Sequence, residues 1–311
     1  MAEPSLWRGV LPALPCPLDA DGTVDHACLA AHVDRLAALD GVTGFLVNGH
    51  AGENVTMPLA WQRDVARTAI DAAAGRVPIV VGVNVPAAAE AARHAAALEE
   101  LGAAAIMIFA PDGWGLFNDP AAVEAHHHAI LAATKGDVML FQGSVNTGRI
   151  SHHPAVLARL AQLPRVVAVK EGSWEVAAYE ASRRAVKAVA PQVAVMGSGD
   201  EHLFTSAVIG SEGAIVSLAA VTPQPIIDLL AAVEAGDLAA ARAANDRIYP
   251  IARAIYGAAP GGRANARLKT CLAMRGVFPR DTMIAPTAPT PPQEHAMLRE
   301  ALVLAGETLR A

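Results

Sequence analysis

Val166-Val167-Ala168-Val169-Lys170-Glu171-Gly172-Ser173 is the stretch on which the fold turns. Four consecutive apolar residues lead to one lysine and then to a glycine-serine pair. Unbroken apolarity, without alternation, is the pattern of a parallel strand covered on both faces. Seven further runs of this kind lie at 10–14, 42–47, 77–83, 104–108, 138–141, 193–196 and 214–216. Alanine-rich segments with helical spacing separate them, at 25–39, 59–73, 87–101, 120–133, 154–160, 175–189 and 201–209. Eight βα repeats in order predict an α/β fold, a (β/α)8 TIM barrel, with an open doubly wound sheet as the alternative. After the eighth run, 225–234, 238–255, 264–275 and 297–309 read as helices with no strand between them. The expected organisation is a barrel over 1–222 and a C-terminal helical extension over 223–311, packed together as one structural domain.

Composition narrows the function. The 311-residue chain is 53% hydrophobic and 17% charged, which excludes disorder. A net charge of −6 argues against nucleic acid as the partner, because phosphate binding needs a basic face. Small anions can still be held locally. Cys16, Cys28 and Cys271 give neither a disulfide framework nor a zinc spacing, so a reduced, cytoplasmic protein is the expectation. Residues 1–10 lack the apolar core of a signal peptide. The stretch 213–233 is interrupted by Pro223, Gln224, Pro225 and Asp228, so no membrane span is expected.

A barrel carries its chemistry at the carboxyl ends of its strands. That rule selects Ala13, Gly49-His50-Ala51, Asn84, Asp112, Phe141, Lys170, Ser198-Gly199-Asp200 and Ser217. Lys170 follows an apolar wall, where desolvation disfavours the ammonium and lowers its pKa. A neutral amine can attack a ketone and form an imine. The alternative is a lysine that marks the strand end and pairs with Glu171 or Asp200. The small-residue turn Gly49-His50-Ala51-Gly52-Glu53 can aim backbone N–H groups at an anion, or be a tight turn without a ligand. Gly197-Ser198-Gly199-Asp200 could hold a phosphate after strand seven, but it reads best as a turn whose Ser198 or Asp200 caps the next helix. His126-His127-His128 and His152-His153 are expected on solvated helix surfaces, since consecutive helical positions do not face one site. No metal is expected. His50 alone sits where the barrel mouth should be, as a general acid–base group or as a loop histidine bonded to the backbone.

With these residues in place, the chain resembles the dihydrodipicolinate synthase and N-acetylneuraminate lyase family of Schiff-base barrels. The likeness begins at Gly9-Val10-Leu11-Pro12-Ala13-Leu14-Pro15-Cys16-Pro17 and Asp21-Gly22-Thr23-Val24-Asp25. It runs through Gly49-His50-Ala51-Gly52-Glu53 and Arg76-Val77-Pro78-Ile79-Val80-Val81-Gly82 to Gly197-Ser198-Gly199-Asp200. It is strongest at 166–173, where the family keeps its imine-forming lysine. The resemblance implies a barrel with C-terminal helices, a homotetramer, and chemistry that needs no cofactor beyond the covalent imine on Lys170. It also implies that Gly49, Ala51, Gly52, Phe141, Gln142, Ser198 and Ser217 line the substrate site.

Two departures matter. His50 and Ala51 stand where the family has a relay threonine and a carboxylate-binding threonine, leaving only backbone N–H groups at Ala51. Phe141 stands where the family ends its fifth strand with a proton-shuttling tyrosine. The chain's tyrosines, Tyr179, Tyr249 and Tyr256, all lie beyond Lys170, and phenylalanine has no proton to move. His50 is the expected replacement, titrating near pH 6.5, with Asp112 and Gln142 behind it. The expected function is a lyase, an aldolase or hydro-lyase, acting on a 2-oxo acid such as pyruvate or a keto-deoxy sugar acid. The rival is a catalytically silent binding or regulatory relative, which need not form an imine. Dihydrodipicolinate synthesis itself is disfavoured by the missing tyrosine.

Overall fold

The apolar runs become eight strands: β1 (Gly9–Pro12), β2 (Phe45–Val47), β3 (Ile79–Val83), β4 (Ala105–Ile108), β5 (Asp137–Gln142), β6 (Val166–Glu171), β7 (Ala194–Gly197) and β8 (Gly213–Val216). This computed structural model describes residues 7–111, 113–117 and 119–310. The strands pair in parallel in the order β1-β8-β7-β6-β5-β4-β3-β2. Bridges Val10↔Val42 and Ala13↔Leu46 join the two ends of that order, so the sheet curls into a nearly closed barrel. Among the described residues every strand therefore has a neighbour on both sides, which removes the doubly wound alternative.

The helices follow the alanine-rich segments. They are α1 (His26–Ala37), α2 (Leu59–Ala73), α3 (Ala88–Glu100), the short α4 (Trp114–Phe117), α5 (Pro120–Ala133), α6 (Pro154–Ala161), α7 (Val176–Val189) and α8 (Leu203–Ile209). Their starts have local causes. Asp25 accepts from the Cys28 N–H at the start of α1. Asp119 accepts from Ala121 and Ala122, and Pro120 occupies the first position of α5, where a missing N–H costs nothing.

Strand alternation divides the core. One set of side chains points into the barrel, among them Leu11, Leu46, Val80, Met107, Met139, Ala168, Met196 and Ile215. The other set, including Val81, Ile108, Leu140, Val169 and Val195, packs under the helices. Strand β6 departs from simple alternation. Val138 pairs with Val166, but Met139 pairs with Ala168, so Val167 is one residue in excess. Such a bulge reverses the facing of everything beyond it. Val166 packs outward and Ala168 inward; two residues later Lys170 also points inward, and Glu171 outward.

The chain then forms α9 (Leu218–Val221), α10 (Pro223–Glu234), α11 (Leu238–Ala252), a π-helical turn at Arg253–Gly257, α12 (Ala264–Met274) and α13 (His295–Leu304). The expected helix 238–255 is therefore an α-helix that widens into a π-turn. One apolar cluster joins Val10, Ala214 and Val216 of the barrel to Ile226, Leu229, Ile248, Leu268 and Leu298 of these helices. Among the described residues no helix is long and apolar enough to cross a membrane.

Candidate active site

The barrel mouth is built by continuing the inward alternation one step past each strand's core. Met107 leads to Phe109, Met139 to Phe141, Ala168 to Lys170, Met196 to Ser198 and Ile215 to Ser217. The rings of Phe109 and Phe141 lie 4.7 Å apart. His50, in the 3-10 turn His50–Gly52 after β2, packs on both, with ring centroids at 4.7 Å and 5.2 Å. The Lys170 Nζ stands 5.8 Å from the Phe141 ring centroid. An amine in this aromatic wall is poorly hydrated. Burial lowers the Lys170 pKa from 10.5 to about 8, and the Asp200 charge opposes the fall.

Asp200 is the acid whose charge acts on Lys170. Its carboxyl is 3% exposed, and burial raises its pKa to about 7 against the pull of the Leu218 N–H, Lys170 and Tyr256. Glu171 does not take part. It points outward, accepts from the Ser173 hydroxyl at 3.0 Å, and is raised to about 7 by burial. Among the described residues Lys170 forms no ion pair within 4 Å with either acid the sequence left open, and of the two only the Asp200 charge acts on its pKa.

His50, Ala51, Phe141, Lys170, Ser198 and Ser217 converge at the mouth. In the His50 turn, Gly52 N–H donates to Gly49 O and Glu53 N–H to His50 O, and the His50 and Ala51 N–H groups take no part in these bonds. The Ala51 side chain packs in the cluster shared with the C-terminal helices, so only its N–H is available to the mouth. A Cβ at Gly49 would press on Leu46, 3.2 Å away, and one at Gly52 on the Leu14 carbonyl at 3.3 Å. These glycines let the turn sit flush on the strand ends.

Several expectations change. Gln142 faces outward, away from the mouth. Its amide donates to His152 O at 2.8 Å and accepts from His152 N at 3.0 Å. It is fully engaged in holding the loop after β5. Asp200 does not cap the following helix: α8 begins without a side-chain cap. Asp200 instead accepts from Leu218 N at 2.9 Å, across the mouth at the start of α9. His50 does not titrate near 6.5; burial and the Lys170 charge lower it to about 4. Its Nε2 is buried and, among the described residues, has no hydrogen-bond partner. His126, His127 and His152 are not solvated. They are at most 4% exposed and pack around Trp114, with ring centroids at 5.1, 6.3 and 6.4 Å. His128 and His153 are exposed, as expected. Asp112 lies outside the described residues. Among the described residues, no group of three His, Cys, Asp or Glu is arranged to hold a metal.

The tyrosines carry the largest correction. All three lie beyond Lys170 in the chain, yet the π-turn brings Tyr256 to the site. The Tyr256 hydroxyl lies 2.5 Å from Ser217 Oγ, one residue before Leu218, whose N–H donates to Asp200. The sequence offered one signal, a lone tyrosine followed by Gly257 and the Pro260-Gly261-Gly262 break.

An eight-stranded parallel barrel with a buried lysine inside its sixth strand, set against an aromatic wall, defines a class of barrel built around a single amine. Comparison with known proteins narrows that class. Residues 6–304 match the dihydrodipicolinate synthetase family, and the chain belongs to it. A 4-hydroxy-tetrahydrodipicolinate synthase of Salinibacter ruber is 30% identical over 262 residues, covering 82% of this chain and 83% of that one. The synthase of Thioalkalivibrio sulfidiphilus is 27% identical and covers 98% of this chain and 100% of its own. These relatives support a lyase of that family. Among solved structures, YagE, a prophage protein of the dihydrodipicolinic acid synthase family from E. coli K12 in complex with pyruvate, matches with a TM-score of 0.89. It is 25% identical and covers 98% of this chain and 100% of that one.

Proposed function

We propose that this protein is a lyase that binds a 2-oxo acid, such as pyruvate or a keto-deoxy sugar acid, as an imine on Lys170. The observation that carries the reading is the Lys170 amine itself, buried inside the barrel against Phe141. Burial keeps a useful fraction of it uncharged near neutral pH, and only the uncharged amine is a nucleophile. The free His50 and Ala51 N–H groups suit the substrate carboxylate, and the aromatic wall excludes water from the ketone. Once formed, the iminium withdraws electrons from the neighbouring carbon. Aldol cleavage and dehydration both start there. The imine is the only covalent group this chemistry requires, so no cofactor is invoked.

The test is reductive trapping. Incubation with pyruvate and borohydride should add the reduced three-carbon acid to the peptide that carries Lys170, and Lys170→Ala should abolish the addition. A panel of 2-oxo acids that leaves this peptide unmodified would favour a silent binding relative and overturn the proposal.

A further inference from the structure

We infer that Asn265, on α12 of the C-terminal extension, is a positioning residue for the substrate carboxylate: through the His50 carbonyl it aims and polarises the Ala51 N–H. This deepens the imine reading above and rests on it.

One peptide unit carries both the His50 carbonyl and the Ala51 N–H. It is trans, and a trans peptide is flat, with its C=O and N–H pointing in opposite directions. Whatever holds the His50 oxygen therefore fixes the direction of the Ala51 N–H. Two donors hold that oxygen. The Glu53 N–H, closing the turn, lies at 3.0 Å. The Asn265 Nδ2 arrives at 2.6 Å from 215 residues further along the chain. A carbonyl can only accept, so the end of the amide that meets it is the NH2.

The Ala51 N–H then points away from Asn265, and it takes no part in the bonds of the turn. The Ala51 methyl donates nothing, so this N–H is all that the residue offers an anion. The same turn lays the His50 ring on Phe141 with centroids 5.2 Å apart, and the Lys170 Nζ stands 5.8 Å from that Phe141 ring. Turn and amine thus share one wall. Hydrogen bonds in series reinforce one another, because donors on a carbonyl make the N–H of the same unit a stronger donor.

Helix α12 grips the turn at both ends. Asn265 and Lys269 are four residues apart and lie on one face of the helix. Asn265 meets His50, which opens the turn, and Lys269 pairs with Glu53, which closes it. The helix itself is fastened elsewhere. Arg267 is 0% exposed; it donates to the Ile255 and Ala258 carbonyls at 3.0 and 2.7 Å and pairs with Glu294 at 2.6 Å. Asn265 is not needed to seat α12, so its short bond serves the peptide it holds. The consequence is selectivity. A donor aimed and strengthened in this way favours a carboxylate over a neutral group in the same place, since hydrogen bonds to charged acceptors are the stronger ones.

The test is borohydride trapping on Lys170 at graded concentrations of pyruvate and of pyruvamide, its neutral isostere. Wild type, Asn265→Ala and Asn265→Asp are compared near pH 8, with folding checked by circular dichroism. Asn265→Ala should raise the half-saturating pyruvate concentration about tenfold, while the labelling rate at saturation and the pyruvamide half-saturation each move less than about twofold. Asn265→Asp keeps the shape but sets an anion against the carbonyl, so it should bind pyruvate more weakly than Asn265→Ala does. If Asn265 only filled space or fastened the helix, the isosteric aspartate would be the milder change and both ligands would weaken together. Either of those results overturns the inference, as does an unchanged pyruvate half-saturation in both variants. Asn265→Asp carries the comparison of the two ligands if Asn265→Ala misfolds. A wild type that takes no label from pyruvate overturns the imine reading beneath.

Discussion

Glu53→Gln should cost more stability than its size suggests. Glu53 ends the His50 turn in a left-handed conformation, with φ of 59. Its Oε2 forms an ion pair with the Lys269 Nζ on α12, where the two side chains are 4% and 0% exposed. Its Oε1 accepts from Ile284 N at 2.9 Å, and Lys269 also donates to Thr282 O at 2.8 Å. Glutamine keeps the shape and an oxygen for Ile284. What it removes is the charge, leaving a buried ammonium with one carbonyl for company. Breaking a buried pair from one side costs about 3–5 kcal/mol, most of it the uncompensated charge. Glu53→Gln with Lys269→Met removes both charges and should return to within about 2 kcal/mol of wild type, because well-packed neutral groups often replace such pairs cheaply. Urea unfolding of wild type, both single variants and the double variant at pH 7 gives the coupling directly. A Glu53→Gln cost under about 1 kcal/mol refutes the reasoning, as does a double variant that falls by the sum of the two singles.

Three further outcomes are expected. Lys170→Met should raise stability by about 1–3 kcal/mol at pH 7, since it removes a desolvated amine from an apolar wall; a lower urea midpoint than wild type would count against that desolvation. Burial lowers His94, His126 and His152 from 6.5 to about 4 and His127 to about 3. The unfolded chain takes up these protons below pH 6.5 while the folded chain refuses them until about 4. Stability should therefore hold above about 6.5 and fall as pH drops toward 4, and a flat unfolding midpoint across that window would contradict the burial of these rings. Gly82→Ala should cost several kcal/mol or prevent folding, because its Cβ would meet Asn48 O at 2.2 Å and Phe109 Cε2 at 2.8 Å, and backbone cannot step aside; near-normal stability would mean that β2 and β3 are more loosely apposed than described.

Much of this architecture is legible from local pattern. The runs at 79–83 and 166–169 are apolar on both faces because helices cover one side and the barrel interior the other. Helices α2 and α5 match their sequence expectations at both ends, since proline and alanine spacing mark them locally. The site is legible where a strand delivers it, as at Lys170, Phe141 and the His50 turn. It is not legible where distant chain closes over it. Nothing near Tyr256 says that a π-turn will bring it to Ser217, and nothing near Asp200 says that its partner lies at Leu218 rather than on α8. His126 and His127 illustrate the same limit. Their polarity suggests a wet surface, but Trp114 and His152 arrive from other loops and cover them. Gln142 fails for a different reason: adjacency to Phe141 in sequence puts it on the opposite face of the strand.

A strand with one surplus residue is open to an unusual kind of mutation. Loss of a single codon around Val167 would leave composition and hydropathy almost unchanged and would restore an even count against β5. Ala168 would still sit opposite Met139 and Lys170 opposite Phe141, so the amine would still face the mouth and Glu171 would still lie beneath the helices. The surplus residue is slack in the strand, outside its alternation. A codon lost between Ala168 and Lys170 is a different event: the amine of Lys170 would turn out beneath the helices, and the carboxyl of Glu171 would swing into the mouth. Point substitutions erode such a site by degrees, one contact at a time. A deletion there would invert it in one generation while leaving a chain that still reads as a barrel. In this lineage, gaps in that strand weigh more heavily than the identities on either side of them.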